Sequence, residues 1–184
     1  DQLRGYEGMA QTVYFSVFNH MILNQKGEFY FHGRSKRPPE DRINSLLSFA
    51  YTLLTNDIAA ALETVGLDPY VGFMHQDRPG RASLATDLIE ELRVPIADRF
   101  VLSLVNRKQL KPSDFEVNEN HSVYINDSAR RTFISAWQKN KQEQITHPYL
   151  NEKISWGLVP YAQALLLARY LRGDIDQYPP FFWK

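Results

Sequence analysis

Apolar residues recur every three or four positions over most of this chain, which is the spacing of helices with one buried face. The most regular stretch begins after Pro38 and Pro39 and stops at Gly66, because proline opens helices and glycine commonly follows them. We predict one long core helix here, with Glu40 and Asp41 in its first turn, where the helix dipole favours acids. Its apolar positions are Ile43, Leu46, Leu47, Ala50, Leu53, Leu54, Ile58, Ala61, Leu62 and Val65.

Weaker helical patterns and one strand pattern fill most of the remaining chain. One helix follows Ser83, which we interpret as its N-cap, and should end at Pro95. Two apolar runs, 115–117 and 122–125, flank a polar turn and predict a small hairpin. The fold class is therefore mainly α, a helical bundle-like domain with one small β-hairpin. The other predicted helices cover about residues 3–24, 96–106, 127–141 and 160–171.

Composition limits the kind of protein this can be. A chain of 184 residues with 43% apolar residues can bury one substantial core, so we predict a single domain over residues 1–184. The absence of cysteine excludes disulfides, thiolate metal ligands and cysteine nucleophiles. A net charge of zero means that any nucleic-acid binding depends on local basic patches. No apolar run approaches the ~18 residues of a membrane span. Because the chain starts without Met, we expect it to be the C-terminal part of a longer one.

Residues 70–93 hold the densest group of candidate catalytic side chains. A short apolar run leads to His75, and a polar loop then carries Arg78 and Arg81. The helix that follows carries Asp87 and Glu90, which are three residues apart and therefore lie near each other on one helix surface. An imidazole followed by carboxylates can form part of a divalent-metal site, with arginines placed to bind an anionic substrate.

One further acid, Glu7, lies inside the apolar stripe of the first predicted helix. A charged carboxylate in that position needs a cation, which could be a metal ion or Arg4 one turn away. Glu7, His75 and Glu90, with Asp87 nearby, would supply carboxylate oxygens and one imidazole. This ligand set suits Mg²⁺ or Mn²⁺ best, and Zn²⁺ remains chemically possible.

Each of these side chains also has a purely structural interpretation. His75 could be a hydrogen-bonded structural histidine. Glu90 lies nearly opposite the apolar face of its helix, where a solvated acid is the simpler explanation. No glycine-rich phosphate loop and no Gly-x-Ser-x-Gly elbow occur in the sequence. A second basic cluster could bind phosphate or only aid solubility, and it consists of Arg34, Lys36 and Arg37.

Four motifs, in order along the chain, resemble the Cas1 family of CRISPR-associated integrases. They read RGYEG from residue 4, PPxxRINxLLS from residue 38, GLDPxxGFMH from residue 66 and SLxxDLxE from residue 83. The combination at these spacings is specific to that family, although no single motif is. The resemblance runs through almost the whole chain, and the tail 178–184 is similar to the ending seen in the I-C subtype.

This resemblance implies an enzyme that inserts new spacers into a CRISPR array. Such an enzyme joins the 3′-hydroxyl of a prespacer strand to the repeat DNA by metal-dependent transesterification, and it can also act as a DNA endonuclease. The residues that the resemblance assigns are the catalytic metal ligands Glu7, His75 and Glu90 for Mg²⁺ or Mn²⁺, the supporting acid Asp87, and Arg78 and Arg81 in the basic loop near DNA. The basic cluster of Arg34, Lys36 and Arg37 is predicted as a second DNA contact from its charge.

The resemblance also implies partners and a second domain. We expect double-stranded and branched DNA, Cas2 and, from the subtype likeness, Cas4, with a homodimer in the full-length protein and no membrane. A prokaryotic cytoplasm is the expected location. The family's N-terminal β-sandwich domain, which helps to build the dimer, is absent from this chain.

Three other functions stay open from the residues alone. The chain could be a metal-dependent phosphodiesterase not involved in integration, a non-catalytic helical interaction module, or a simple nucleic-acid-binding domain. The aromatic tail 178–184 has its own pair of alternatives. Its side chains could pack on the domain itself, or they could dock onto a partner or a second copy.

Overall fold

Helices make up most of the computed structural model, which describes residues 2–35, 38–75 and 78–183, with the backbone alone for residues 2–4. The prediction of a mainly α fold is confirmed. The α-helices are α1 Gln2–Ser16, α2 Phe18–Met21, α3 Arg42–Thr64, α4 Ser83–Leu92, α5 Arg99–Asn106, α6 Asp127–Gln142 and α7 Val159–Leu171. The other helical turns are a π-helix, Arg93–Asp98, and two 3-10 turns, Pro112–Asp114 and Trp156–Leu158.

Two antiparallel hairpins accompany the helices, where the sequence pattern predicted one. The predicted hairpin pairs β1 Phe115–Val117 with β2 Val123–Ile125, with Glu116 opposite Tyr124. The second hairpin pairs β3 Gln144–Thr146 with β4 Lys153–Ser155. Each of these later strands has three residues and one apolar side chain, which is too short a run to show strand alternation.

The chain forms two compact units, each built from two separate stretches of sequence. The first unit contains Asp1–Phe49 and Phe100–Phe133. The second contains Ala50–Arg99 and Ile134–Lys184. The prediction of one domain over residues 1–184 stays a prediction.

In the first unit, the predicted helix 3–24 is divided in two at Val17. The short helix after this break is fixed by Asn19, whose side-chain amide donates to Phe31 O at 2.7 Å and whose Oδ1 accepts from Phe31 N at 2.9 Å. Its end is held by Asn106, whose Oδ1 accepts from Leu23 N at 2.7 Å. Asn106 thus accepts from a backbone N–H that a helix continuing to residue 24 would have paired internally, whereas Asn19 pairs with backbone outside the predicted helix. The prediction of one helix over 3–24 was therefore wrong.

Helix α3 begins at Arg42, four residues after Pro38. Asp41 caps it, since its Oδ1 accepts from Asn44 N at 2.7 Å. The prediction that the prolines begin this helix was wrong, whereas Gly66 ends it as predicted, with a φ of +82°. By length and composition α3 alone, among the described helices, could cross a membrane, which corrects the expectation from apolar runs. Its apolar face is buried within the protein, as a core helix requires, at Ile43, Leu46, Leu47, Leu54, Ile58 and Leu62.

In the second unit, Pro95 does not end the helix that carries the acids. Helix α4 passes directly into the π-helix Arg93–Asp98, and this leads into α5. Proline lacks an N–H donor, and its ring collides with the carbonyl four residues back in a regular helix. The wider π turn moves that carbonyl away, so the chain accommodates Pro95 without a break. Such turns often occur at functional sites.

The C-terminal tail packs on the second unit. Phe181 is 3% exposed, and its ring lies 5.4 Å from that of His147. Trp183 lies edge-on to Trp156 at 5.2 Å, with the Arg99 guanidinium 4.3 Å from its ring centre. Phe182 is the exception, at 75% exposed. Of the two alternatives for the tail, packing on the chain itself therefore accounts for Phe181 and Trp183.

Candidate active site on helix α4

The candidate site is built on Asp87, which holds the segment that leads to His75. Its carboxylate accepts hydrogen bonds from three successive backbone N–H groups, those of Phe73 at 2.6 Å, Met74 at 3.0 Å and His75 at 3.0 Å. The imidazole Nδ1 of His75 lies 2.6 Å from Asp87 Oδ1. One carboxylate in the second turn of α4 therefore fixes both the backbone and the ring of His75.

This arrangement sets the ionisation of Asp87 and the tautomer of His75. Burial by itself would raise the pKa of Asp87, but the hydrogen bonds from Met74 N, the His75 ring and the neighbouring amides together lower it. An ionised Asp87 accepts a hydrogen bond from Nδ1–H, so the lone pair of a neutral His75 lies on Nε2. Histidine ligands of metals are oriented by carboxylates in the same way.

The close approach of the loop to α4 depends on Gly72. A Cβ atom at this position would lie 2.8 Å from Ser83 Cβ, 2.9 Å from His75 O and 3.0 Å from Asp87 Oδ2. Real Cβ atoms do not approach backbone and helix atoms so closely. Any side chain at residue 72 would therefore push the loop away from Asp87 and displace His75.

Glu90, one turn further along α4, is already paired with a cation. Both of its carboxylate oxygens face Arg93, with Nη2–Oε2 at 3.0 Å and Nη1–Oε1 at 3.3 Å. The Glu90 side chain is 30% exposed and that of Arg93 is 12% exposed. The cation that pairs with Glu90 in the structure is therefore a guanidinium. Glu90 is also partly exposed, so its assignment as a metal ligand and the alternative of a solvated acid both stay predictions.

Arg93 is embedded in the second unit. Its guanidinium carbon lies 5.8 Å from the ring centre of Tyr51, whose hydroxyl donates to the fully buried Asp98. Its Nε is buried and has no hydrogen-bond partner among the described residues. A buried N–H without an acceptor is costly, so this guanidinium could accept a further anionic partner.

Glu7, the remaining predicted ligand, lies on α1 in the first unit. It is half-buried, and its Oε1 accepts a hydrogen bond from Gln11 Nε2 at 3.0 Å. The alternative partner, Arg4, has a side chain outside the described part of the structure. The assignment of Glu7 as a ligand stays a prediction.

The predicted donors fit a divalent ion by chemistry, and one of them by orientation. An imidazole with a free Nε2 and the carboxylate of Glu90 belong to the same unit, and both are ligand types of Mg²⁺ and Mn²⁺ sites. Within residues 2–35, 38–75 and 78–183, no group of three or more His, Asp or Glu side chains is gathered closely enough to hold an ion. In this arrangement the Glu90 carboxylate is neutralised by Arg93.

The predicted DNA-binding residues have different surroundings. Arg34 is half-buried and donates to Asn44 Oδ1 at 2.7 Å and to Ser48 Oγ at 3.2 Å, so it has a structural role. Arg78 is exposed and Arg81 is half-buried, and their loop is closed by a bond from Arg81 N to Arg78 O at 3.0 Å. Lys36 and Arg37 lie outside the described residues.

Two features of α4 differ from the sequence interpretation or were missed by it. Ser83 is the first helical residue and not the N-cap, because the carbonyl of Pro69 accepts from Leu84 N at 2.9 Å and performs that function. The Arg93 contact could have been found, since an acid and a base three residues apart commonly pair on a helix.

The sequence and the fold are both similar to known proteins. Residues 1–139 match the family model described as CRISPR associated protein Cas1. The chain is 56% identical over 184 residues to a CRISPR-associated endonuclease Cas1 of Rhodospirillum rubrum. The alignment covers 100% of this chain and 54% of that protein. The chain thus spans about half the length of the first curated relatives it matches, at 54% and 53%.

Two solved structures share the fold at low sequence identity. A casposase bound to integration product gives a TM-score of 0.85 at 27% identity, over 97% of this chain and 50% of that one. A Cas6-RT-Cas1–Cas2 complex gives a TM-score of 0.82 at 27% identity, over 98% of this chain and 19% of that one.

Proposed function

The chain belongs to the Cas1 family of CRISPR-associated proteins, and on that premise we propose that it is the catalytic part of a metal-dependent spacer integrase. The observation that carries the proposal is the pairing of His75 with Asp87 at 2.6 Å, which leaves Nε2 available as a ligand in the loop held against α4, the helix that also bears Glu90. The similar fold of a casposase bound to its integration product supports strand transfer as the reaction.

The proposed reaction is a transesterification at one phosphodiester of the repeat DNA. The 3′-hydroxyl of a prespacer strand attacks the phosphorus and loses its proton, and a new P–O bond forms. The old bond to the repeat strand's 3′-oxygen breaks, and that oxygen leaves with a proton from solvent. One phosphodiester replaces another, so no nucleotide triphosphate is needed. Water as the nucleophile would give endonuclease cleavage instead.

The role of each site residue follows from its chemistry. His75 and Glu90, with Glu7 from α1, would hold Mg²⁺ or Mn²⁺. When bound, such an ion supplies Lewis-acid activation of the scissile phosphate and lowers the pKa of the attacking hydroxyl. Asp87 keeps the Nε2 lone pair of His75 available and holds residues 73–75 in place. Because hydrogen bonds from the backbone amides and the His75 ring outweigh the effect of burial and lower the pKa of Asp87, we expect this carboxylate to stay ionised throughout the reaction.

The DNA is proposed to contact the basic loop that follows His75. Arg78 is exposed and Arg81 half-exposed at this loop, and a guanidinium fork matches two phosphate oxygens. Lys36 and Arg37 are proposed as a second contact, with Arg34 supporting that segment through Asn44. The proposed partners are Cas2, as in the similar Cas1–Cas2 complex, and, from the subtype likeness alone, Cas4 and a second copy of the protein.

Strand transfer onto a repeat-containing duplex tests this proposal. We expect the protein with Cas2 and Mn²⁺ to join a prespacer 3′-end to the repeat boundary. His75→Ala and Glu90→Ala should each lower the rate at least 100-fold, because loss of a ligand or of its orientation has effects of this order. A matched control is His121→Ala, which changes an exposed histidine of the β1–β2 turn. Unchanged transfer in the two site variants would overturn the assignment.

One observation favours a second candidate, a non-catalytic interaction module. Arg93 already neutralises Glu90, so the acid does not require a metal for its charge to be balanced. This alternative predicts that the protein neither binds Mn²⁺ through Glu90 nor transfers strands, although salt-sensitive DNA binding could persist. The same pair of site variants separates the two functions.

A further inference from the structure

Arg93 forms an ion pair with Glu90, the carboxylate that the proposed metal ion would bind. Its two terminal nitrogens face the two oxygens of Glu90 at 3.0 Å and 3.3 Å, which is the parallel geometry of a bidentate pair. This geometry engages both oxygens of the carboxylate, through one lone pair on each. A metal ion at Glu90 must therefore either share the carboxylate with the guanidinium or displace one of its contacts.

The position of Arg93 makes this pair stronger than an ordinary helix-surface ion pair. The Arg93 side chain is 12% exposed and lies over the ring of Tyr51, so packing restricts the guanidinium to few other conformations. The pair Arg130–Asp127 has the same three-residue spacing on α6 but is 50% and 86% exposed, with one contact at 3.2 Å. Exposed pairs of that kind contribute little because water screens them.

The Nε atom of Arg93 does not strengthen this pair. It is buried without an acceptor among the described residues, as is the Nε of Arg42, although both terminal nitrogens of Arg93 are engaged. A buried N–H without an acceptor costs free energy, which offsets part of the stabilisation that the ion pair provides.

We propose that Arg93 is a built-in competitor for the divalent ion at Glu90, which weakens metal affinity and so sets the ion concentration at which the site fills. The inference rests on the proposed function, in which Glu90 is a ligand. Two effects act in the same direction. The ion must share the carboxylate with Arg93 or displace it, and in either case it lies near a positive charge. Removal of the guanidinium should therefore tighten metal binding.

Mn²⁺ titration monitored by the electron paramagnetic resonance signal of the free ion measures this directly, without substrate and without turnover. We expect Arg93→Met to lower the Mn²⁺ dissociation constant about five- to tenfold, which corresponds to breaking a partly buried pair. Arg93→Lys keeps the charge but lacks the fork, so its affinity should fall between those of the wild type and Arg93→Met. Arg130→Met is the matched control and should leave affinity unchanged.

The opposite result has a clear meaning. If Arg93→Met and Arg93→Lys both bind Mn²⁺ as the wild type does, or more weakly, Arg93 orients Glu90 for the ion instead of competing with it, and the inference is overturned. Because Arg93→Met could unfold the second unit through the loss of its Tyr51 contact, the melting temperature of each metal-free variant is measured first. Should Arg93→Met not fold, Arg93→Lys alone decides between the two outcomes.

Glu90→Gln distinguishes failure of the inference from failure of the proposed function. A wild-type affinity that Glu90→Gln does not weaken would show that Glu90 is no ligand, and both would fail. Weakened binding in Glu90→Gln together with no gain in Arg93→Met would overturn the inference alone. In the double variant, Arg93→Met should bring no gain over Glu90→Gln, since there is no carboxylate left to release.

Discussion

Two histidines of the second unit lie in hydrogen-bond networks with acids of α4. They differ in their exposure to solvent. His75 contacts Asp87 directly and is 24% exposed in its side chain. His147 is fully buried, and its Nε2 lies 3.0 Å from Gln163 Oε1. The Gln163 amide in turn donates to Glu91 at 3.2 Å, and the hydroxyl of Tyr178 donates to the same oxygen.

This difference shows how two acids on one helix, Asp87 and Glu91, can have different roles. Amide donors lower the pKa of Asp87, so its charge is available to orient His75. Burial raises the pKa of Glu91, although Tyr178, Phe181 N and Gln163 donate to it. Asp87 thus holds a partly exposed imidazole in place, whereas Glu91 anchors the C-terminal tail. We propose that the tail network is a structural support and the Asp87 network a functional one, and the following three changes test that division.

The largest effect is expected at Phe181, in the tail network. Phe181→Ala should lower the free energy of unfolding by about 3 kcal/mol, because a buried ring is lost and a cavity is left beside His147. Phe182→Ala is the adjacent control and should change it by less than about 0.5 kcal/mol, since Phe182 is 75% exposed. Urea denaturation measures both. Equal stabilities would mean that the tail does not support the second unit.

Asp87→Ala should have a smaller effect on stability and a larger one on chemistry. We expect about 2 kcal/mol less unfolding free energy, because several amide donors lose their acceptor while water can partly replace it. Strand transfer should fall roughly 100-fold, as expected when the partner that orients a histidine is removed. Asp174→Ala, in the exposed pair with Arg172, is the control. If transfer survives Asp87→Ala, the Asp87 network is structural too, and the comparison fails.

The smallest effect concerns the pH dependence of stability. Burial lowers the pKa of His147 despite its bond to Gln163, so the folded protein keeps this ring neutral. The unfolded chain therefore binds a proton at a higher pH than the folded protein does. The stability contributed by the neutral ring is complete above about pH 6.5 and is lost as the pH falls from there towards the lowered pKa of the folded state. Between pH 7.5 and 5.5 the loss should be about 1 kcal/mol. His147→Gln should remove this part of the slope, and an unchanged slope would contradict the assignment.

The helices and strands that could be predicted are those whose sequence pattern depends only on residues close together in the chain. The apolar stripe of α3, its stop at Gly66 and the β1–β2 hairpin each depend on residues that are neighbours in sequence. The π turn around Pro95 could not be predicted, because its stability comes from the surrounding second unit and not from the turn itself. The end of the short helix α2 depends in the same way on Asn106, more than eighty residues away.

In the candidate site too, the sequence indicated the residues themselves but not the contacts that tertiary packing gives them. The sequence pattern and the family resemblance identified His75, Asp87 and Glu90, and the structure brings His75 and Asp87 into contact. Neither pattern nor resemblance indicated that one carboxylate would bind three backbone amides, since that depends on how Gly72 lets the loop approach α4. Nor did they indicate that Arg93 would hold Glu90. Such partners are decided by tertiary packing, which a helical periodicity does not contain.

The contact between Trp183 and Trp156 gives the protein an intrinsic optical reporter. Two indole rings 5.2 Å apart, one of them beside the Arg99 guanidinium, should couple in near-ultraviolet circular dichroism and have a characteristic fluorescence emission. Detachment of the tail would change both signals without any added label. The moment at which a binding partner displaces the C-terminus could therefore be followed by stopped-flow spectroscopy on the unmodified chain.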